Sequence, residues 1–282
     1  MKILRQYIVP HHPLSRFMGW FTTRTYAWLK NWQIRTFVKT YNVDMSQAQH
    51  EKAEDYVNFT HFFTRHLLPD ARPLAQGDDS ILSPADSCIA QKGKIDGYRL
   101  IQAKKHSFSV DELLGGDLAD AKLFENGEFS TLYLAPADYH RVHMPIKGTL
   151  KKMIHVPGKL FSVNLQTAER VPNLFARNER VVCLFETEVG PMAMVLVGAM
   201  FVASICTTWA GVVTPGANAK RQEFSYNEGS PIVLDRGEEM GYFNFGSTVI
   251  LLFGQDNINW LSDCAIGDHV NMGQHLASVQ KR

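Results

Sequence analysis

Two textures of apolar and polar positions divide this chain. Across residues 14–41 aromatic side chains recur at helical spacings: Phe17, Phe21, Trp28 and Trp32 fall four or seven positions apart, with Trp20, Tyr26, Phe37 and Tyr41 among them. Arg and Lys interleave on the other face, a pattern that predicts amphipathic helix. The helical reading runs over 14–66, and the stretch 45–68 continues it with Ala48, Ala53, Tyr56, Val57, Phe59, Phe62 and Phe63; Asp44 or Ser46 offers a cap and Pro69 follows the end. After Pro84 short apolar runs alternate with Gly, Pro, Asp and Asn, which predicts strands over 88–91, 131–134, 148–155, 181–188 and 248–253. Val110–Leu114, closed by Gly115-Gly116, reads as a short helix. The expected fold class is α+β: an N-terminal amphipathic helical segment, 1–68, followed by a mainly β catalytic core, 69–282.

Residues 189–219 carry no charge and are long enough to span a bilayer. Gly190, Pro191, Gly198, Gly211, Pro215 and Gly216 interrupt them, and valine and threonine abound. They read as buried strands over 192–197, 201–207 and 211–213, not as a transmembrane helix.

Composition adds an asymmetry. A chain of 282 residues, 45% hydrophobic and 20% charged, is ordinary for a globular protein able to bury a full core. The formal net charge is +1, yet residues 1–43 hold Lys2, Arg5, Arg16, Arg24, Lys30, Arg35 and Lys39 and no acid, so the rest of the chain is net negative. That contrast argues against a general nucleic-acid binder and for a specialised basic arm. Three of the five tryptophans, Trp20, Trp28 and Trp32, sit in it. Such an arm suits an anionic membrane surface, with rings at the acyl boundary and cations at headgroups; the alternative is a surface helix packed inward on the domain. Cys88, Cys183, Cys206 and Cys264 are widely spaced, without C-x-x-C, and read as free thiols in a reducing compartment. The N-terminus lacks the pattern of a secretory signal.

Three stretches carry chemistry. Gly246-Ser247 opens the β-branched run Thr248-Val-Ile. Glycine tolerates a distorted backbone, and the serine hydroxyl lies within reach of the preceding carbonyl, so an attack would turn amide into ester and cut the chain; most Gly-Ser pairs are simply turns. Ala135-Pro-Ala-Asp-Tyr-His-Arg-Val-His-Met-Pro145 holds His140 and His143 between prolines, which predicts a turn or short helix leaving the strand 131–134. Either histidine suits proton transfer near neutral pH; without a cysteine or clear acidic partner the pair makes no zinc motif. In Ser83-Pro-Ala-Asp86-Ser87 the aspartate either makes an Asx-turn or holds an imidazole in one tautomer.

Together, Ser83-Pro-Ala-Asp86, Tyr139-His-Arg-Val-His-Met-Pro145 and Phe245-Gly-Ser-Thr248 resemble the motifs of the bacterial and mitochondrial phosphatidylserine decarboxylases, pyruvoyl-dependent membrane enzymes. Phe62-Phe-Thr-Arg65, Ala71-Arg-Pro73, Lys159-Leu-Phe-Ser-Val-Asn164, Val197-Gly-Ala-Met-Phe-Val-Ala-Ser-Ile205 and Arg236-Gly-Glu-Glu-Met-Gly-Tyr-Phe243 are similar in kind. Phenylalanine precedes the glycine where many bacterial members have leucine. The resemblance implies that Asp86 orients His143, that His143 takes the proton of Ser247, and that Ser247 attacks the Gly246 carbonyl. Elimination then separates a β-subunit, 1–246, from an α-subunit, 247–282, whose first residue becomes a covalent pyruvoyl group. That carbonyl condenses with a substrate amine and accepts the electrons left by carbon dioxide, as pyridoxal phosphate would. The resemblance makes His140 the proton donor, with Tyr139 a second candidate, and phosphatidylserine the substrate. It places the protein peripherally on the cytoplasmic face of the inner membrane, with lipid-facing groups in the aromatic arm and near Phe161, and leaves a homodimer open. Rival readings are a self-cleaving module without later chemistry, a pyruvoyl decarboxylase of a soluble amino acid or adenosylmethionine, and a binding module.

Overall fold

The computed structural model describes residues 11–103, 106–200, 204–214, 220–227, 229–244 and 247–280. Lys2, Arg5, Phe245, Gly246 and the stretch 201–203 of an expected strand lie outside the described residues. The class is α+β, with helices first and sheets after.

A nine-stranded antiparallel sheet dominates the described residues. Its path runs β12 (Gln222–Ser225), β7 (Gly148–Val156), β8 (Arg180–Thr187), β9 (Gly190–Val197), β15 (Ser247–Phe253), β5 (Glu128–Leu134), β2 (Ser87–Lys94) and β17 (His269–Val270), with β13 (Val233–Leu234) also on β7. A four-stranded sheet orders β11 (Gly211–Val212), β10 (Ile205–Thr207), β14 (Glu239–Phe243) and β6 (Arg141–His143). A three-stranded sheet orders β1 (Ser80–Leu82), β18 (His275–Val279) and β16 (Ile258–Trp260), and β3 (Arg99–Ala103) pairs with β4 (His106–Ser109).

Both faces of the main sheet are buried along its central strands β8, β9, β15 and β5, which explains strands that read as continuous apolar runs. Alternation sends Val249, Leu251 and Phe253 of β15 into one core and Ile250 and Leu252 into another. The two smaller sheets close the first core through Val142, Met240, Phe243, Ile81 and Leu276. The second is closed by short helices and the β3–β4 hairpin through Leu100, Phe108, Leu113, Phe161 and Phe175. The helix Val110–Leu114 ends as expected, with Gly115 in the left-handed region. The uncharged stretch 189–219 contributes β9, β10 and β11, as read from its glycines and valines. No helix among the described residues is long and apolar enough to cross a membrane.

The N-terminal region corrects the sequence reading. The aromatic arm forms two helices, His11–Thr22 and Ala27–Tyr41. From 45 to 68 the continuous helix is replaced by a 3-10 turn at Ala53–Asp55, a short helix at Phe59–Phe63 and a bridge between Ala48 and Leu67. Asp44 does not cap a helix; its Oδ1 accepts from the Ser46 N–H and hydroxyl in a local turn. The apolar residues that suggested a stripe converge instead on a third cluster, where Ala53, Tyr56, Phe59, Phe62 and Phe63 meet Ile34 and Val43. The short helix itself starts at Asn58, whose side chain accepts from His61 N–H.

Candidate functional site

Ser247 begins β15, the strand held between β5 and β9. Its backbone partner is Leu134, and Thr248 lies between Tyr133 and Val197. Pairing on both sides fixes this main chain, and both side chains are wholly buried. Neither Ser247 Oγ nor Thr248 Oγ1 has a hydrogen-bond partner among the described residues, which costs a fold about 1–3 kcal/mol for each group. Upstream, Asn244 is clamped: its N–H donates to Ser204 O at 3.0 Å and its Nδ2 donates to Ser204 Oγ. β14 of the four-stranded sheet ends at Phe243, and β15 of the main sheet begins at Ser247.

The His-rich stretch forms a tight turn after β5, with Ala135 N–H donating to Asp138 Oδ2 at 2.7 Å. Residues 141–143 then run as strand β6 beside β14, not as the expected turn or short helix. The prolines flank this strand without entering it, and its pairing with β14, close to a hundred residues on, outweighs them.

His143 is set by three contacts. Its N–H donates to Pro84 O at 2.8 Å, Nδ1 donates to Gly237 O at 2.9 Å, and Nε2 receives the Tyr139 hydroxyl at 3.2 Å. A carbonyl can only accept, so the Gly237 contact assigns the proton to Nδ1 and leaves the lone pair on Nε2. Burial lowers the His143 pKa, opposed by the Gly237 bond and by the fields of Glu239 and Asp86. Gly237 has φ +81°, and a Cβ there would meet Leu74 Cδ1 at 2.5 Å; only glycine carries this carbonyl into place.

Asp86 does not bond to His143. Its carboxylate receives Arg72 Nε at 2.8 Å, Arg72 Nη2, and the Met272 N–H at 2.8 Å. It therefore makes neither the Asx-turn nor the direct imidazole contact that the sequence suggested. Its reach to His143 is electrostatic, and it favours the protonated ring. Arg141, whose charge opposes that effect, is spent on Glu239 through two contacts of 2.7 and 2.8 Å.

His140 is different in kind. It is fully buried, its ring stacks on Phe63 at 4.2 Å, and Nε2 donates to Ala135 O at 3.0 Å. Nδ1 has no partner. Burial, aided by the Arg65 charge, pushes its pKa down to about 3, so it stands neutral with an open lone pair. Gly237, Arg72 and Arg65 escaped the sequence reading as site residues, although each lies in a stretch that carried the resemblance.

A cavity of about 470 Å³ opens between the first two helices and the sheet. Met18, Phe21, Trp32 and Phe37 line one side, and Tyr133, Pro136 and Val163 the other. Tyr133 is the strand partner of Thr248, and Pro136 belongs to the turn that carries His140. Phe161, expected at this rim, is buried in the second core, and its neighbours Ser162 and Val163 face the cavity.

Comparison with known proteins gives a consistent result. Residues 59–278 match the family model described as phosphatidylserine decarboxylase, and residues 1–42 match one described as PSD. The chain is 55% identical to the phosphatidylserine decarboxylase proenzyme of Pseudomonas fluorescens (strain Pf0-1) over 277 residues, 98% of this chain and 96% of that one. It is 55% identical to the proenzyme of the same name from Azotobacter vinelandii over 278 residues, 98% and 97% of the two chains. With that of Ectopseudomonas mendocina it shares 54% over 279 residues, 99% and 98%.

Proposed function

Because the chain belongs to the phosphatidylserine decarboxylase family, we propose that it cuts itself between Gly246 and Ser247 and then converts phosphatidylserine to phosphatidylethanolamine and carbon dioxide. Family membership favours this over a self-cleaving module without later chemistry and over a decarboxylase of soluble amino acids. The observation that carries the cleavage site is the buried, unpartnered hydroxyl of Ser247 at the start of a strand held on both sides.

His143, neutral with its lone pair on Nε2, is the base. Tyr139 must release that nitrogen before Ser247 Oγ gives up its proton. Oγ then bonds to the Gly246 carbonyl carbon, the C–N bond breaks, and the acyl group passes from nitrogen to oxygen. Loss of the Cα proton and rupture of the Cβ–O bond free the Gly246 carboxylate and leave residue 247 to hydrolyse, with ammonia released. Asp86 supports the base through its field, held in place by Arg72 and the Met272 amide.

A pyruvoyl group at 247 fits its surroundings: the adjacent Thr248 backbone is paired on both sides, and the unpartnered Thr248 and Ser247 hydroxyls mark room for polar atoms there. When formed, the group supplies a carbonyl that draws off the electron pair left by carbon dioxide. His140 handles the proton. With its free Nδ1 beside the turn at Pro136, it is the group that serves the substrate carbon with a proton after carbon dioxide leaves.

The cavity beside Tyr133 and Pro136 admits the headgroup from the helical side. Trp20, Trp28 and Trp32 are all exposed on those helices, and they seat the protein peripherally on the anionic cytoplasmic face of the inner membrane. Intact-mass analysis of wild type and Ser247→Ala tests the reading. Wild type should give fragments 1–246 and 247–282, the latter reactive to hydrazine, and the variant one chain of 31.9 kDa without activity. Fragments from Ser247→Ala, or a wild type that stays whole, would overturn it.

A further inference from the structure

Two buried arginines invite comparison. Arg180 is 2% exposed and has no carboxylate within 4 Å among the described residues, yet each guanidinium nitrogen donates to a backbone carbonyl: Nε to Leu113 at 2.7 Å, Nη1 to Asn178 at 2.9 Å and Nη2 to Glu112. It is a satisfied structural cation. Arg65 is 4% exposed and is not so treated. Nη2 donates to Ala137 O at 3.0 Å, and the guanidinium lies over the Phe62 ring at 5.5 Å. Nε and Nη1 have no partner among the described residues, and together they carry three of the five N–H bonds. No described carboxylate pairs with Arg65 within 4 Å. Asp86 and Asp138 favour its charge only through their fields, which burial outweighs, and a buried cation left this way is costly unless something anionic arrives.

The location says what arrives. Arg65 follows the short helix Phe59–Phe63, and Phe59 lines the cavity. Its anchor Ala137 follows Pro136, which lines the cavity from the other side. His140 stacks on Phe63, and the Arg65 charge acts on its ring. Arg65 thus stands one residue layer behind the cavity wall, beside the histidine whose Nδ1 is also unpartnered. We infer that Arg65 is the substrate-binding cation of this enzyme and takes an oxyanion of the lipid headgroup, carboxylate or phosphodiester, through Nε and Nη1. The inference rests on the phosphatidylserine activity proposed above, but it concerns recognition and leaves self-cleavage to other residues.

The test uses soluble dihexanoyl lipids, so that membrane affinity does not enter. Arg65→Gln should still cut itself, read on a gel, so a failure of maturation and a failure of recognition are separate results. In the cut Arg65→Gln enzyme, KM for dihexanoyl-phosphatidylserine should rise roughly 10- to 100-fold, the range for hydrogen bonds to a charged group, with kcat changed far less. Arg65→Lys keeps the charge without the planar fork and should fall between. Dihexanoyl-phosphatidylethanolamine, which has the phosphate and lacks the carboxylate, separates the two oxyanions. If its inhibition weakens in parallel, Arg65 holds the phosphodiester; if it is unchanged while KM rises, Arg65 holds the carboxylate. Unchanged KM and unchanged inhibition in the cut variant would overturn the proposal. Should neither variant mature, the Arg65 Nε–H resonance of wild type decides: it must move when both lipids are titrated in turn with at least one response, and silence to both refutes the assignment.

Discussion

His140 and His143 are three residues apart and both neutral, but for different reasons and with different nitrogens open. Nδ1 of His143 is tied to a carbonyl, so Nε2 is basic; Nε2 of His140 is tied to a carbonyl, so Nδ1 is basic. The pH dependence of self-cleavage follows. Burial depresses His143, so its base form persists below pH 6.5, and fragment release should stay flat from pH 8 through that value and fall only in stronger acid. Asp86 raises the proton affinity of the ring. Asp86→Asn should therefore move the acid limb lower still, while the weaker base slows the plateau. A pH jump on pulse-labelled precursor made by cell-free translation measures both, and a half-maximal rate at or above pH 6.5 in wild type would contradict the assignment. The residues proposed to carry the chemistry, Ser247, His140, His143 and Asp86, could be picked out as candidates because they stand in compact local motifs. Their partners were not. The Gly237 carbonyl is 94 positions from His143, the Met272 amide is 186 from Asp86, and Ala137 is 72 from Arg65. Only the closed fold brings them into contact.

At the scale of elements, β15 decides whether a cut chain survives. Residues 247–280 supply β15, β16, β17 and β18, and these are interleaved with strands from the other side of the cut. β15 lies between β5 and β9, β17 pairs with β2, and β18 lies between β1 and β16. The fragments should elute together in size exclusion without any covalent link. Leu251 is wholly buried in the first core, so Leu251→Ala should lower stability by about 2–5 kcal/mol. That loss is read by denaturant unfolding in the uncut Ser247→Ala background, where one chain unfolds; a change under 1 kcal/mol would mean that β15 is not central to the core. Strands such as β8, β9 and β15 were readable because both of their faces are buried, so each reads as a short, nearly continuous apolar run. The stretch 45–68 misled because its phenylalanines are spaced for a helix but serve a compact irregular segment, with Phe59, Phe62 and Phe63 all packing edge-on against Phe37. Spacing alone does not separate a helical stripe from a cluster assembled by tertiary contacts.

The whole molecule is polarised. Phe17, Trp20, Tyr26, Trp28 and Trp32 are between 55% and 74% exposed on the N-terminal helices, an apolar array that a monomer in water has reason to cover. Its cations do not share one fate. Lys30 is buried, donating to Ala53 O and Glu54 O, and Arg35 pairs with Glu54. Arg16, Arg24 and Lys39 form no ion pair within 4 Å among the described residues. Attachment should therefore lean more on the rings than the sequence charge suggests. Trp20→Ala, Trp28→Ala and Trp32→Ala combined should weaken binding to anionic vesicles at both low and high salt, because burial of apolar area is not screened. Replacing Arg16, Arg24 and Lys39 by glutamine should weaken it at low salt and do little at high salt. Neither set touches Ser247 or its partners, so self-cleavage should proceed in both; in the charge set, and in Trp20→Ala with Trp28→Ala, turnover of dihexanoyl-phosphatidylserine should fall far less than turnover of lipid in vesicles. Trp32 is the informative exception, since it also lines the cavity: Trp32→Ala alone should lower activity on the soluble lipid as well. If vesicle sedimentation shows binding indifferent to the tryptophans yet abolished by salt, the helices dock by charge alone, and the cavity they roof is not entered from the bilayer side.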